Sequence, residues 1–444
     1  MKTEFAEKLL DIAIKGGADE AEVYAGSSRS IAIEVRDQKV DSIESSNTIG
    51  YCVRVIKDRR LGFSYSTDIK EVEKTARRAL DASGYSEPDT YLGFPQEGGL
   101  SEIEVYDETV ASISEDKALE CALQLERSAF DADKRIRKVR KPSAVFTASH
   151  KAILNSHGVR ASYSATSCSG QVMAIAEDGD ESCMGWDYDG SRFFNEVSFK
   201  DVGRVAAERA TSLLGAVRIS PFKGFVLLDN SVVCDFLAIL ASALSAESVQ
   251  KKKSMLAGKL NELVMSRRLN IIDDALLKGK LGSKPSDDEG VETKRKLLIE
   301  QGTLQAFMHN TYTAAKDGTS STGNAVRGGA TGMPAVGRMN LYLDAGADES
   351  RHPFNKLVET VDKGLYVLDT MGMHTANPIS GEFSVGVSGL FIEKGATRYP
   401  FKEAVISGNI LDLFKNVLMV GEDLRFYGNI GAPCLLIEHM DISG

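Results

Sequence analysis

Between Asn377 and Gly389 the chain reads NPISGEFSVGVSG. Phe383, Val385 and Val387 alternate with small or polar residues, the two-residue period of a sheet. Asn377-Pro378 opens the run with a turn, and glycine recurs at 381, 386 and 389. Glycine inside a strand costs about 0.5–1 kcal/mol relative to alanine. It marks a bulge, or a place where another backbone or a ligand comes close. The chain must therefore build a sheet into which something fits where a Cβ would be, and the surrounding stretch, Met371 to Asp423, is expected to hold a site.

Elsewhere helical and strand periods alternate. Residues 3–15 read as an amphipathic helix with Phe5, Leu9, Ile12 and Ala13 on one face, ended by Gly16-Gly17. Ile31, Ile33 and Val35 alternate as a strand, as do Ile49, Tyr51, Val53 and Val55, with turns at Asp37-Gln38 and Asp58-Arg59. Asp68 caps a helix to about residue 82. A second helix covers 114–131, strands dominate 138–188 around a turn at 155–158, and a helix over 198–214 closes this half. After 215–224 come a buried strand, 225–228, and an apolar helix, VVCDFLAILASAL, capped by Asp229-Asn230. Residues 279–290 read as a polar loop, 409–417 as the last helix and 433–438 as the last strand. A chain of 444 residues suits more than one domain. The expected division is 1–215, with a linker-like loop at 83–101, and 216–444, both α+β.

Several chemistries lose support at this level. A net charge of −10 opposes binding to nucleic acid or anionic membranes, which need basic surface. No apolar run approaches a membrane span, and the acidic N-terminal helix lacks a signal-peptide core, so a cytoplasmic protein is expected. Six scattered cysteines without CxxC spacing read as reduced thiols. No two of the six histidines lie within five residues of each other, and neither HExxH nor HExxxH occurs, so the helical zinc-protease arrangement is missing. Gly386-Val387-Ser388-Gly389 stops short of GxSxG because Leu390 follows. Gly318 to Gly323 runs into Asn324-Ala325, without the lysine and hydroxyl of a phosphate loop.

One resemblance is specific. Asn377-Pro378-x-Ser380-Gly381-x-Phe383-Ser384-x-Gly386-x-Ser388-Gly389, then Ile392-Glu393-x-Gly395, Tyr399-Pro400 and Ser407-Gly408-Asn409, resembles the TldD/PmbA family, also called modulators of DNA gyrase. Weaker matches precede it in order: Gly16 to Val23, Gly50 to Val55, Asp288-Glu289-Gly290-Val291 and Gly302-Thr303-Leu304. The resemblance implies an α+β fold of two domains, an N-terminal domain of helices on sheet and a strand-rich, barrel-like C-terminal domain.

It also implies proteolytic processing of small proteins or unfolded peptides. In the TldD branch an HExxxH on a helix supplies zinc ligands and the catalytic glutamate. Here the corresponding helix reads Ala238-Ile239-Leu240-Ala241-Ser242-Ala243, so the chain resembles the PmbA/TldE branch. No catalytic and no metal-ligating residue is expected in this chain, and no cofactor; zinc is expected in a TldD-like partner. Cys434, near the place of a C-terminal cysteine implicated in that branch, has apolar neighbours and reads as an inert thiol. The expected partners are a TldD-like subunit or a second copy, as a dimer, and a peptide, with neither nucleic acid nor membrane. Asn377, Ser380, Gly381, Glu382, Phe383, Ser384, Gly386, Ser388 and Gly389 are the expected peptide-binding residues, through main-chain pairing along a sheet edge. The alternatives are a homodimeric peptidase with an unrecognised site and a stand-alone peptide-binding regulator.

Overall fold

The computed structural model describes residues 4–346 and 351–444. The first helix, α1 (Glu4–Lys15), matches the expected one, whose residue 3 lies outside the described residues. Three strands follow, β1 (Glu20–Arg36), β2 (Lys39–Lys57) and β3 (Arg60–Ser66). Their hairpin turns fall at the expected pairs. Asp37 and Gln38 have φ of 54° and 56°, Asp58 and Arg59 of 49° and 60°. Two consecutive left-handed residues make the turn that right-twisted strands favour. Next come α2 (Val72–Ser83), α3 (Glu108–Ala111), α4 (Glu115–Ala132), β4 (Ile136–Asn155), β5 (Arg160–Asp178), β6 (Glu181–Ser191) and α5 (Phe199–Ser212). Ser114 and Ser198 cap α4 and α5, each hydroxyl accepting from a backbone N–H three residues on.

The six strands form one sheet in the order β3-β2-β1-β4-β5-β6, antiparallel throughout. Alternate residues of β1 show what covers it. Ala21, Val23 and Ala25 pack under α1 and α2. Ile31, Ile33 and Val35, on the same face, pack with α4 and α5. Glu22 and Tyr24 point to the opposite face and are also buried.

The second half contains β7 (Phe222–Leu228), α6 (Asn230–Ala243), α7 (Ala246–Gln250), β8 (Leu269–Asp274), β9 (Arg295–Glu300) and β10 (Thr303–Leu304). Then come α8 (Thr311–Asp317), β11 (Ala325–Val326), β12 (Ala335–Val336), β13 (Leu341–Ala345), β14 (Arg351–His352) and α9 (Phe354–Thr360). It closes with β15 (Lys363–Met371), β16 (Glu382–Glu393), β17 (Ala396–Asn409), α10 (Ile410–Lys415), β18 (Val417–Gly421), β19 (Arg425–Tyr427), β20 (Ile430–Ala432) and β21 (Leu435–Ser443). The strands β7, β15, β16, β17 and β21 pair in that order, and β21 returns to β7. The fold is therefore α+β with a closed five-stranded barrel. Closure satisfies both flanks of each strand over the paired registers. Helix α6 shares the barrel's core: Phe236 meets Phe383 edge to face, centroids 4.9 Å apart, an arrangement worth about 0.5–1.5 kcal/mol beyond area burial.

The segment 279–290, expected as a polar loop, is mostly interior. Ser283, Ser286, Asp287, Asp288 and Glu289 are all buried, pressed against the second face of the N-terminal sheet. Arg54 of β2 donates to both oxygens of Glu22, at 2.9 and 2.6 Å, and to Glu289 Oε1 at 3.0 Å. Arg327 also pairs with Glu22, and its guanidinium lies 5.1 Å from the centre of the Tyr24 ring. Lys151 of β4 reaches Asp288 at 3.1 Å. The stretch 83–101 joins the same assembly rather than hanging free. Phe94 is buried beneath Arg54, and Ser101 N donates to Pro285 O at 2.9 Å.

Burial would raise the Asp288 carboxyl, but Lys284 and Lys151 with the Arg327 backbone N–H overcome it and bring it down to about 2. A carboxylate lowered by folding stabilises above its ordinary value of 3.8 and loses that contribution as pH falls toward about 2. The unfolding midpoint of the native chain should therefore fall more steeply between about pH 4 and pH 2 than that of Asp288→Asn, as a thermal melt series would show. Glu22→Ala, which leaves two buried guanidiniums without their shared carboxylate, should cost about 3–5 kcal/mol in denaturant unfolding.

Candidate functional site

Helix α6 follows directly from β7, so its position is set by the barrel. Asp229 caps it, accepting from Ser231 N at 3.1 Å. The same carboxylate takes Arg209 Nη2 of α5 at 2.7 Å and the Tyr366 hydroxyl of β15 at 2.8 Å. One face of α6, with Val233, Phe236, Leu237 and Leu240, is core. The other, with Ser231, Asp235 and Ala238, opens on a cavity of about 260 Å³. Met173, Met184 and Trp186 of the N-terminal sheet form its far wall, and Leu368, Asp369 and Thr370 at the end of β15 form a third side. The Trp186 and Tyr427 rings stack there at 5.7 Å and 30°.

Two carboxylates belong to this cavity. Thr370 Oγ1 donates to Asp235 Oδ2 at 3.2 Å. Among the described residues neither Asp235 nor Asp369 has an ion-pair partner, because the nearby Arg209 is engaged with Asp229. Both side chains remain open to solvent; partial enclosure by the cavity wall pushes the Asp235 carboxyl above its usual value, with Asp369 adding to the effect against the Thr370 hydroxyl. Burial raises Asp369 too, opposed by the Thr370 backbone N–H and by Arg209. Sequence reasoning passed over both. The available signal was Asp235 itself, the one charge inside the apolar run VVCDFLAILASAL, where an unpaired carboxylate is out of place.

The stretch expected to bind peptide is β16 and the turn before it. Phe383, Val385, Val387 and Gly389 face the core, and Glu382, Ser384, Gly386 and Ser388 face outward. Phe383 is thus an internal packing residue against Phe236, not a surface contact. Asn377, Ser380 and Gly381 build the turn. Asn377 Oδ1 accepts from the N–H groups of Ile379 and Ser380, and Gly381 takes φ of 81°. The run is not a sheet edge. It lies between β15 and β17, and only 382–385, beyond the end of β15 at Met371, has a strand on one flank alone.

The glycines also resolve. A Cβ on Gly389 would stand 1.9 Å from the Tyr366 carbonyl oxygen, at a register shift in the β15–β16 pairing. The close neighbour there is the barrel's own backbone. A Cβ on Gly386 would find nothing nearer than 3.7 Å. The other chemistries are placed as follows. Among the described residues neither the Ser384 nor the Ser388 hydroxyl bonds to an acid or a base. Asn324, after the glycine-rich turn, donates to Asp273 at 2.8 Å. All six cysteines are free, and no described helix is long and apolar enough to cross a membrane.

Family models for the PmbA/TldA metallopeptidase match three consecutive parts of the chain: domain 1 over 21–83, the central domain over 108–214 and the C-terminal domain over 223–444. The chain belongs to the PmbA/TldD family. It is 29% identical to the metalloprotease PmbA of Escherichia coli O157:H7 over all of this chain and 98% of that protein. It is 30% identical to a PmbA homologue of Haemophilus influenzae, covering 98% and 94%. A Thermotoga maritima crystal structure described as a candidate modulator of a DNA gyrase superposes with a TM-score of 0.91 at 30% identity, over 99% of both chains. TldE from Thermococcus kodakarensis shares the fold, with a TM-score of 0.89 at 23% identity over 99% of this chain and 100% of that one.

Membership in a metallopeptidase family implies a metal, and the donors among the described residues do not fit one. Ala238, Ile239 and Ala243 offer no ligand atom, and Ala243 is fully buried. Burial, with Asp229 and Asp423 beside it, holds the Cys434 thiol far above its ordinary value. No group of three or more His, Cys, Asp or Glu among the described residues could hold an ion.

The two strand glycines separate structure from surface. Gly389→Ala should destabilise the fold by about 2 kcal/mol or more, because backbone must move. Gly386→Ala should stay within about 0.5 kcal/mol of the native chain. Paired chemical denaturation curves measure both.

Proposed function

We propose that this chain is the non-catalytic subunit of a two-chain peptidase of its family, working in the cytoplasm on small proteins or unfolded peptides. The observation that carries this reading is α6. Its open face borders a cavity, as a catalytic helix should, yet Ala238, Ile239 and Ala243 stand where the family resemblance expects the zinc-binding motif. Methyl and sec-butyl groups neither ligate a metal nor move a proton. The partner is a TldD-like subunit carrying HExxxH and its zinc.

The outward side chains of β16 support a role in holding peptide. Glu382, Ser384, Gly386 and Ser388 form a low, polar ridge, and the short flank at 382–385 leaves room for main-chain pairing. The free cysteines agree with a reducing compartment.

The purified chain should hold no stoichiometric zinc and cleave no unfolded peptide. Cleavage should appear when an HExxxH-bearing family member is added. Zinc content by atomic absorption and a peptide-cleavage assay on each chain and on the mixture decide it. Activity tied to zinc in this chain alone would establish a self-sufficient peptidase instead. Peptide binding with no cleavage in any mixture would establish a regulator.

A further inference from the structure

We propose that the cavity between β6 and α6 receives the cationic side chain of a lysine or arginine, carried by an extended peptide lying along the outward face of β15 and β16. The inference rests on the peptide-handling reading above and names the chemistry that this site selects.

The geometry has three independent parts. The first is shape. At about 260 Å³ the cavity falls below the range of about 300–1,000 Å³ that holds drug-sized ligands, and so suits one long side chain. The second is the wall. Trp186 is 38% exposed and Met184 55% exposed, large apolar groups left at a rim that a hydrocarbon stem would cover.

The third is charge. Asp235 and Asp369 enter from two elements, neither with an ion-pair partner among the described residues, while Arg209 is held by Asp229 at 2.7 Å. Both side chains are open to solvent at the cavity mouth, and the one arginine of the lining, Arg209, is neutralised by Asp229, so the pair leaves net negative charge that a bound ammonium or guanidinium would balance. An anionic or purely aliphatic side chain leaves that need unmet.

Position ties the cavity to β16. Asp369 is the direct register partner of Ser388, and Met371 of Gly386. A peptide lying over Gly386 and Ser388 would therefore pass the cavity mouth.

Trp186 is the sole tryptophan of the chain, so its fluorescence reports this cavity alone. The probe is a short unfolded peptide with one central arginine, compared with the same peptide carrying citrulline or norleucine there. The arginine peptide should change the emission saturably and bind at least tenfold tighter than the neutral ones. Asp235→Asn with Asp369→Asn should abolish that preference. A carboxyl raised by folding destabilises the folded chain once pH rises through its raised value, so this double variant should melt no lower than the native chain at neutral pH. Ala238→Leu, which keeps both carboxylates and fills space, should weaken the arginine peptide by a similar factor. Equal binding of the three peptides, binding unchanged in the double variant, or no emission change with any peptide would overturn the proposal. The readout uses the isolated chain, so it stands apart from the cleavage assay. Cleavage by the mixture without a basic preference or emission change would sink this inference and leave the subunit role intact. Charge-dependent binding without cleavage would do the reverse.

Discussion

The architecture depends on a buried charge assembly rather than on either core alone. Glu22, Arg54, Glu289 and Arg327 meet between the second face of the N-terminal sheet and a loop of the C-terminal half. Removing such ions from water costs several kcal/mol each, repaid only when geometry and hydrogen bonding are complete. Here Arg54 spends its fork on two carboxylates, and Arg327 adds bonds from its Nε to Asp288 O and from its backbone N–H to Asp288 Oδ2, both 2.9 Å. The assembly therefore specifies one docking of the two halves. A slide of a few ångströms would leave buried charges unpaired, a heavier penalty than the loss of apolar contact. The cavity beside α6 depends on that docking, because its walls come from both halves.

This explains which features could be read from the sequence. Local signals survived folding: the hairpins at Asp37-Gln38 and Asp58-Arg59, the serine caps at 114 and 198, and the apolar helix after Asp229. Each is set by a few neighbouring residues. The segment 279–290 is a loop as expected, but its burial was not legible because its polarity serves partners 137 and 235 residues away. Glu289 answers Arg54, and Asp288 answers Lys151. Composition alone cannot tell a solvated acidic loop from one whose counter-charges arrive from another sheet. Barrel closure was equally hidden from periodicity, since β21 pairs with β7 across almost the whole second half; that expectation came through family resemblance.

The glycine-punctuated run shows the same divide. Its period was legible, and the inference that something approaches closely was sound at Gly389. The approaching group is the Tyr366 carbonyl of the adjacent strand, so the pattern records barrel construction there, not ligand binding. Phe383 likewise belongs to the packing of α6 against the barrel. What remains for a ligand is the alternate set of outward residues, which sequence period separates only once the buried face is known.

Helix α6 then carries the functional argument. A helix that had become only a structural plug would bury its whole circumference or turn an ordinary solvated face outward. Instead one face remains on a cavity shared by both halves, without metal donors at 238, 239 and 243 but with an aspartate at 235. Thr370 satisfies one oxygen of that carboxylate, and the Arg209 guanidinium on the cavity wall is already paired with Asp229. Asp235 and Asp369 both stay open to solvent, so their charge faces whatever enters the cavity mouth. In the proposed subunit this helix holds the position of a catalytic element and does the work of a recognition element, and the physical basis for that proposal lies within one turn, between Asp235 and Ala238.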